Sequence, residues 1–439
     1  MEYCAAEGVK TQQRIQRALT VCLLLLLLAA CSVQSSSQQL ANATLVATSG
    51  EPVRLVLWQA WTPELQPVLS NLVNQYHRTQ SNVRIIVQSV PRASLSKEMR
   101  TATLAGGGPH LLLIPSHSLG ALSDQLLPLD ELVPEAKKSA LLPVTVASGR
   151  ATNVAGETHQ YGLPVTFDTL VLYYNKANVL DPPANTERLL STSRGLTDIS
   201  TQPPIWGLAY NLSLDTTIGY LYAFGGRVFD DTGRVVLGGE GRAGTERWLQ
   251  WLLELHQDNQ LLAVTDGIRV DGALKAHQAL MTVNWANQYG SYRALWGDKL
   301  GVAPLPQLSA TGNAPVTYVQ TEVISVNGLV RDEEEQRAAA DFIGYIVSTE
   351  AQQELLRAGL QPVNSDLQLD GPDYEAARAF RSQAEQSVAM PNSINDTDVV
   401  WPTLTQMLRA VLQRQLSPAD AVTEADLRLR QRFEPASTP

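Results

Sequence analysis

The sequence predicts an α/β protein built from two units, each an open, mostly parallel sheet with helices on both faces. Three observations lead there. β-rich and helix-periodic segments alternate from residue 53 to residue 114, a second alternation begins near residue 169, and 439 residues at 44% apolar composition suffice for two or three packed cores.

The first unit opens with residues 53–58 (VRLVLW), a β-rich run. Thr62, Pro63 and Glu64 then supply an N-cap, a first-turn proline and an acidic first turn for a helix running to about His77. Leu65, Val68, Leu69, Leu72, Val73 and Tyr76 form one stripe at the 3.6-residue period. Residues 83–87 (VRIIV) read as a second strand and 94–104 as a second helix, ended by Gly106-Gly107-Gly108-Pro109. Residues 111–114 (LLLI) are a third strand, apolar on both faces. In such a βαβαβ order, ligands sit beyond the carboxyl ends of the strands, here at Trp58-Gln59-Ala60-Trp61 and Pro115-Ser116-His117. The second unit shows strands at 169–174 and 280–283 and a helix at 243–257. A helix pair follows at 338–347 and 349–358, closed by Gly359, and a last helix at 401–416.

Upstream, Lys10, Arg14 and Arg17 precede an apolar run over residues 18–30, which at ~13 residues is shorter than the ~20 needed to span a bilayer. With small residues ahead of Cys31, residues 1–30 resemble the signal peptide of a bacterial lipoprotein. That implies cleavage before Cys31, lipid on its sulfur and a chain facing outward from the cell membrane. Cys4 and Cys22 then lie in the removed segment, leaving no thiol for a disulfide or a thiolate metal site. Residues 31–50, rich in Ser, Gln and Ala and uncharged, read as a flexible tether. The net charge of −10, without any basic block, excludes nucleic acid as a partner.

Several further stretches resemble the bacterial extracellular solute-binding proteins of the maltose-binding type, the capture subunits of ABC importers. They are Gly108-Pro109-His110-Leu111 ahead of a buried strand, residues 164–176 (PVTFDTLVLYYNK), 277–285 (HQALMTVNW), 302–306 (VAPLP), 338–364 and 390–412 (MPNSINDTDVVWPTLTQMLRAVL). The resemblance implies a type II periplasmic-binding-protein fold: two α/β lobes that close on a solute about a hinge. Lobe one would comprise residues 51–166 plus 318–365, lobe two 167–317 plus 366–433, with a tail at 434–439. The hinge would lie at 166–168 and 318–322. The resemblance further implies a monomer that takes no cofactor, is not an enzyme, and hands a small-molecule solute to the permease subunits of the importer.

Trp58, Trp61, Trp285 and Trp401 stand at strand and helix tips, where a flat ring can face the C–H side of a pyranose. Gln59, Ser116, His117, Asn284, Gln320 and Glu322 offer hydrogen bonds to its hydroxyls. Asp168 matches an acidic ligand contact of the family at the first crossover. The expected solute is therefore a carbohydrate, with a polyamine or glycerophosphodiester, or a tethered glycoside hydrolase, as alternatives. The chain departs from the family where His110 replaces an aspartate. The Pro115-Ser116-His117-Ser118 loop also lacks the acidic and basic pair of some maltodextrin binders. Gly239-Glu240-Gly241-Arg242-Ala243-Gly244 matches a dinucleotide fingerprint. The turn signal Asp230-Asp231-Thr232-Gly233 just before it belongs to an antiparallel hairpin, which such a fold does not need.

Overall fold

In the computed structural model, which describes residues 51–393 and 395–434, the first alternation becomes β1 (Val53–Gln59), α1 (Gln66–Thr79), β2 (Val83–Ser89), α2 (Arg92–Leu104) and β3 (Leu111–Pro115). The signal peptide, the tether and Cys31 lie outside the described residues. Helix α1 starts about one turn later than its N-cap signal predicts, because residues 62–65 form a turn and Pro67 takes the first-turn position. A helix begun at Pro63 would carry Pro67 inside it, where its missing N–H and its ring break the hydrogen-bond ladder. Leu69, Leu72, Val73 and Tyr76 are buried on the predicted stripe, each stabilising by roughly 1.5–3 kcal/mol.

Strands β4 (Leu163–Asp168) and β5 (Leu170–Asn175) follow one another with only Thr169 between them, yet belong to different sheets. The chain passes from the first sheet to the second at Thr169. Lobe two then contributes β6 (Ala209–Asn211), α3 (Leu214–Ala223), α4 (Arg242–Gln257), β7 (Leu262–Val264), β8 (Met281–Trp285) and β9 (Leu300–Ala303). The return comes through β10 (Tyr318–Asn327), α5 (Glu333–Ile346), α6 (Thr349–Arg357) and β11 (Gln361–Pro362). The chain ends on α7 (Glu375–Glu385), α8 (Trp401–Leu412) and α9 (Pro418–Phe433). Asp332 caps α5 by accepting from the Glu334 and Glu335 N–H groups, so that helix begins five residues earlier than its apolar period suggests.

The first sheet runs β11-β4-β10-β3-β1-β2, and the second β7-β6-β8-β5-β9. Within them β1 is parallel to β2 and β3, and β6 to β7 and β8, while β4 and β5 run antiparallel to their neighbours and β10 antiparallel to β3 and β4, with Val388–Ala389 added parallel to its first residues. One apolar core fills the inner face of the first sheet and continues to Tyr173 and Phe380 against the second. A separate core under α4, α8 and α9 centres on the fully buried Trp248.

The dinucleotide-like glycines have a packing role. A Cβ on Gly241 would meet the Arg227 carbonyl oxygen at 2.2 Å, and one on Gly244 the Gly226 nitrogen at 2.2 Å, so both admit the 225–227 backbone. The hairpin ahead of them is present as the antiparallel bridge Phe229–Val235. Among the described residues no helix is long and apolar enough to cross a membrane, and no group of three His, Cys, Asp or Glu stands together as a metal site.

Candidate functional site

A cavity of about 360 Å³ lies where the two lobes and β10 meet. Lobe one supplies His117, from the turn after β3. The crossover strand supplies Tyr318 and Gln320. Lobe two supplies Tyr222 at the end of α3, Val228, Phe229, and Val400, Trp401 and Leu404 at the start of α8. Met390, Pro391, Asp396 and Thr397, on the segment that leads into α8, complete the wall.

The aromatic side of this cavity is organised. The Tyr222 and Tyr318 hydroxyls share a hydrogen bond of 2.5 Å, their rings meet edge to face at 6.1 Å, and Tyr318 lies 6.1 Å from Trp401. Phe229 is braced by Phe433 at 5.0 Å. Trp401 is only partly buried against the lobe-two core, leaving ring surface for the cavity.

Polar groups are few and placed at the rim. Asp396 uses Oδ2 to accept from the Ser393 N–H and hydroxyl, which fixes the carboxylate at the start of a π-helical turn, Asp396–Val400. Such turns concentrate at functional sites. His117 keeps solvent access at its surface, but the protein mass around it first, and then the Arg92 guanidinium, hold it below the usual imidazole range. It is therefore neutral at pH 7 and offers one N–H and one lone pair. Gln320, half-buried on β10, offers both a donor and an acceptor.

Of the residues singled out in the sequence, His117, Gln320 and Trp401 line the cavity, and the rest do not. Trp58, expected at a solute, is 1% exposed inside the lobe-one core, with its indole N–H donated to Gln88. Gln59 is likewise buried, binding Ser89 and the Trp61 N–H, and therefore shapes the loop rather than a ligand. Ser116 is buried at the first position of its turn. Trp61 packs in the core beside Glu322, whose Oε1 accepts from Arg92 at 2.7 Å; burial raises the Glu322 carboxyl above its usual range and Arg92 opposes this. Asn284 is spent on the Tyr292 hydroxyl and the Trp285 N–H, and the Trp285 indole N–H on Asp215. The periodic pattern missed Tyr222, Tyr318 and Asp396, since tyrosines inside regular elements read as core and Asp396 lies in an aperiodic crossover.

Asp168 ends β4 directly opposite Gln320 and accepts the Asn287 N–H at 3.1 Å, tying the first crossover to the turn after β8. Burial pushes its carboxyl up to about 7, against the pull of the Asn287, Thr169 and Ala286 N–H groups. Between its ordinary pKa of ~3.9 and ~7 the folded chain keeps a proton that the unfolded chain has lost, so stability falls as pH rises through that window. The expected slope integrates to at most about 4 kcal/mol. Melting the wild type and Asp168→Asn from pH 4 to pH 8 checks this: the variant should lose that part of the decline, and identical profiles would remove Asp168 as its source.

The model of the family described as bacterial extracellular solute-binding protein matches residues 71–382. A maltotriose-binding protein of Pyrococcus abyssi (strain GE5 / Orsay) is 26% identical over 40% of this chain and 38% of its own length. A galactooligosaccharide-binding protein of Bacillus subtilis (strain 168) is 24% identical over 91% of this chain and 92% of its own. Among solved structures, a cyclo/maltodextrin-binding protein complexed with maltotetraose superposes with a TM-score of 0.75 at 20% identity, covering 89% of this chain and all of that one. The maltose/maltodextrin-binding domain of Bdellovibrio bacteriovorus bound to maltotriose gives 0.68 at 22%, covering 87% and 100%. The fold is thus what this sequence shares with those solved structures, and the chain belongs to the bacterial extracellular solute-binding protein family.

Proposed function

We propose that the protein captures a neutral carbohydrate in this cavity and delivers it unchanged to the permease of an ABC importer, while held at the outer face of the membrane by lipid on Cys31. The observation that carries the reading is the aromatic wall of Tyr222, Tyr318 and Trp401 facing a rim of His117, Gln320 and Asp396. Flat rings suit the C–H face of a pyranose and the rim groups suit its hydroxyls. The relatives named above that bind sugars favour the same class. Hydrolysis of a glycoside needs two carboxyl groups about the scissile bond, and among the described residues lining the cavity Asp396 is the single carboxylate.

Closure about the first crossover and β10 follows from differential affinity, since a solute touching both lobes binds the closed arrangement more tightly. The test is a thermal-shift panel of maltose, maltotriose, a galactooligosaccharide, spermidine and glycerophosphocholine, run on the protein as extracted from membranes with detergent. A sugar at ~100 times its Kd should add ~2.7 kcal/mol and raise Tm. A shift with spermidine or glycerophosphocholine alone overturns the carbohydrate assignment, and recovery of the protein without detergent overturns the anchor.

A further inference from the structure

The two walls of the cavity also touch outside it. His117 sits on the turn Ser116–Ser118, which runs straight into the short helix Leu119–Leu122, and there Gly120 meets the backbone of the segment bearing Met390, Pro391 and Asp396. A Cβ on Gly120 would lie 2.1 Å from the Asn392 carbonyl oxygen and 2.9 Å from the Ser393 Cα. Both are backbone atoms and neither can swing away. The φ of Gly120 lies outside the left-handed region, so its lack of a side chain serves space and not conformation. In a helix, glycine is a weaker choice than alanine, and the close approach is what its presence accommodates.

A second contact acts in the same direction. The Asn392 side-chain amide donates to the Arg150 carbonyl at 2.8 Å and to the Ser148 carbonyl at 3.3 Å, both in lobe one. Ser148 in turn shares a 2.5 Å hydrogen bond with Thr321 on β10, next to the cavity residue Gln320. The Met390 N–H binds the Val319 carbonyl on that same strand.

We infer that Gly120 and Asn392 are positioning residues: their contact sets the separation between His117 and the Asp396–Trp401 wall, and through it the affinity for the solute. Neither residue lines the cavity. Spreading the seam moves His117 away from Asp396, so a ligand held by both loses one set of hydrogen bonds and the ring contact loosens. The inference rests on the reading of this cavity as the solute site.

The experiment compares full-length wild type with Gly120→Ala, Asn392→Ala and, as a control, Gly195→Ala, a helical glycine whose Cβ would meet nothing within 4 Å. Maltotriose is the probe in calorimetric titration, Tm is measured in parallel, and hydrogen exchange of the Val388 and Met390 amides is followed without ligand. The expected result is at least a 10-fold weaker Kd for both seam variants, with a lowered Tm in Gly120→Ala, whose added Cβ must displace backbone, a nearly unchanged Tm in Asn392→Ala, faster exchange at both amides in each, and no change of Kd in Gly195→Ala. Both seam variants binding within two-fold of wild type overturns the inference, as does a fall in Tm with affinity kept, which makes the contact merely structural. Should Gly120→Ala fail to fold, Asn392→Ala decides the matter. If wild type binds no maltotriose, that probe carries no affinity comparison, and unchanged exchange in the seam variants then overturns the inference independently of the sugar reading.

Discussion

Trp401→Ala should abolish high-affinity binding while the protein still melts close to the wild type. The ring is partly buried at the first position of α8, faces the cavity and continues the aromatic row from Tyr318. Truncating an aromatic anchor at the centre of a desolvated site typically costs 2 kcal/mol or more, about a 30-fold rise in Kd or greater. The stability loss should stay near 1–2 kcal/mol, because only part of the indole contributes to the lobe-two core. Calorimetric titration beside a circular-dichroism melt checks both parts. Wild-type affinity in a folded Trp401→Ala protein would place the solute elsewhere.

The opposite pattern is expected of Trp58→Ala. That ring is enclosed between β1 and the helices of lobe one, in contact with a core that includes Met99 and Ile114, and its N–H satisfies Gln88 at 2.9 Å. Removing it leaves a cavity and an unpaired amide, a loss of roughly 3–5 kcal/mol and on the order of 5–10 °C in Tm. Molecules that remain folded should bind solute as the wild type does, and Trp58→Phe should recover much of the melt. A Trp58→Ala protein of unchanged Tm that no longer binds would reverse the assignments of the two tryptophans.

The contrast between these rings explains where sequence patterns run out. Helix α1 and strands β1 to β3 were legible because an apolar stripe at the 3.6-residue period and runs of β-branched residues specify them locally. The two-lobe class was legible because such alternation occurs twice. Trp58 was not separable from a ligand-facing ring: Val53, Leu55 and Leu57 bury one face of β1 while Val56 and Trp58 bury the other, so alternation carries no sign of which side is open. Tyr222 and Tyr318 look like core residues within regular elements, and what opens them to the cavity is the crossing of β10 between lobes, a contact remote in sequence. Asp396 lies where no period exists. Trp401 and Gln320 line the cavity, whereas Asn284 and Trp285, at a strand tip that the sequence marks in the same way, turn to Tyr292 and Asp215.

The order β11-β4-β10-β3-β1-β2 bears on how the chain is made. Strand β10, encoded after residue 317, is inserted between two strands encoded before residue 169. At ~5–20 residues per second, a ribosome needs roughly 16–65 s to reach Asn327, and until then Leu111–Pro115 and Leu163–Asp168 have no partner between them. Open edges of that kind invite association with other chains, a hazard for a nascent polypeptide awaiting its missing strand. The same delay suits secretion, since a sheet that cannot be finished early leaves the growing polypeptide pliable enough to be threaded outward before it locks.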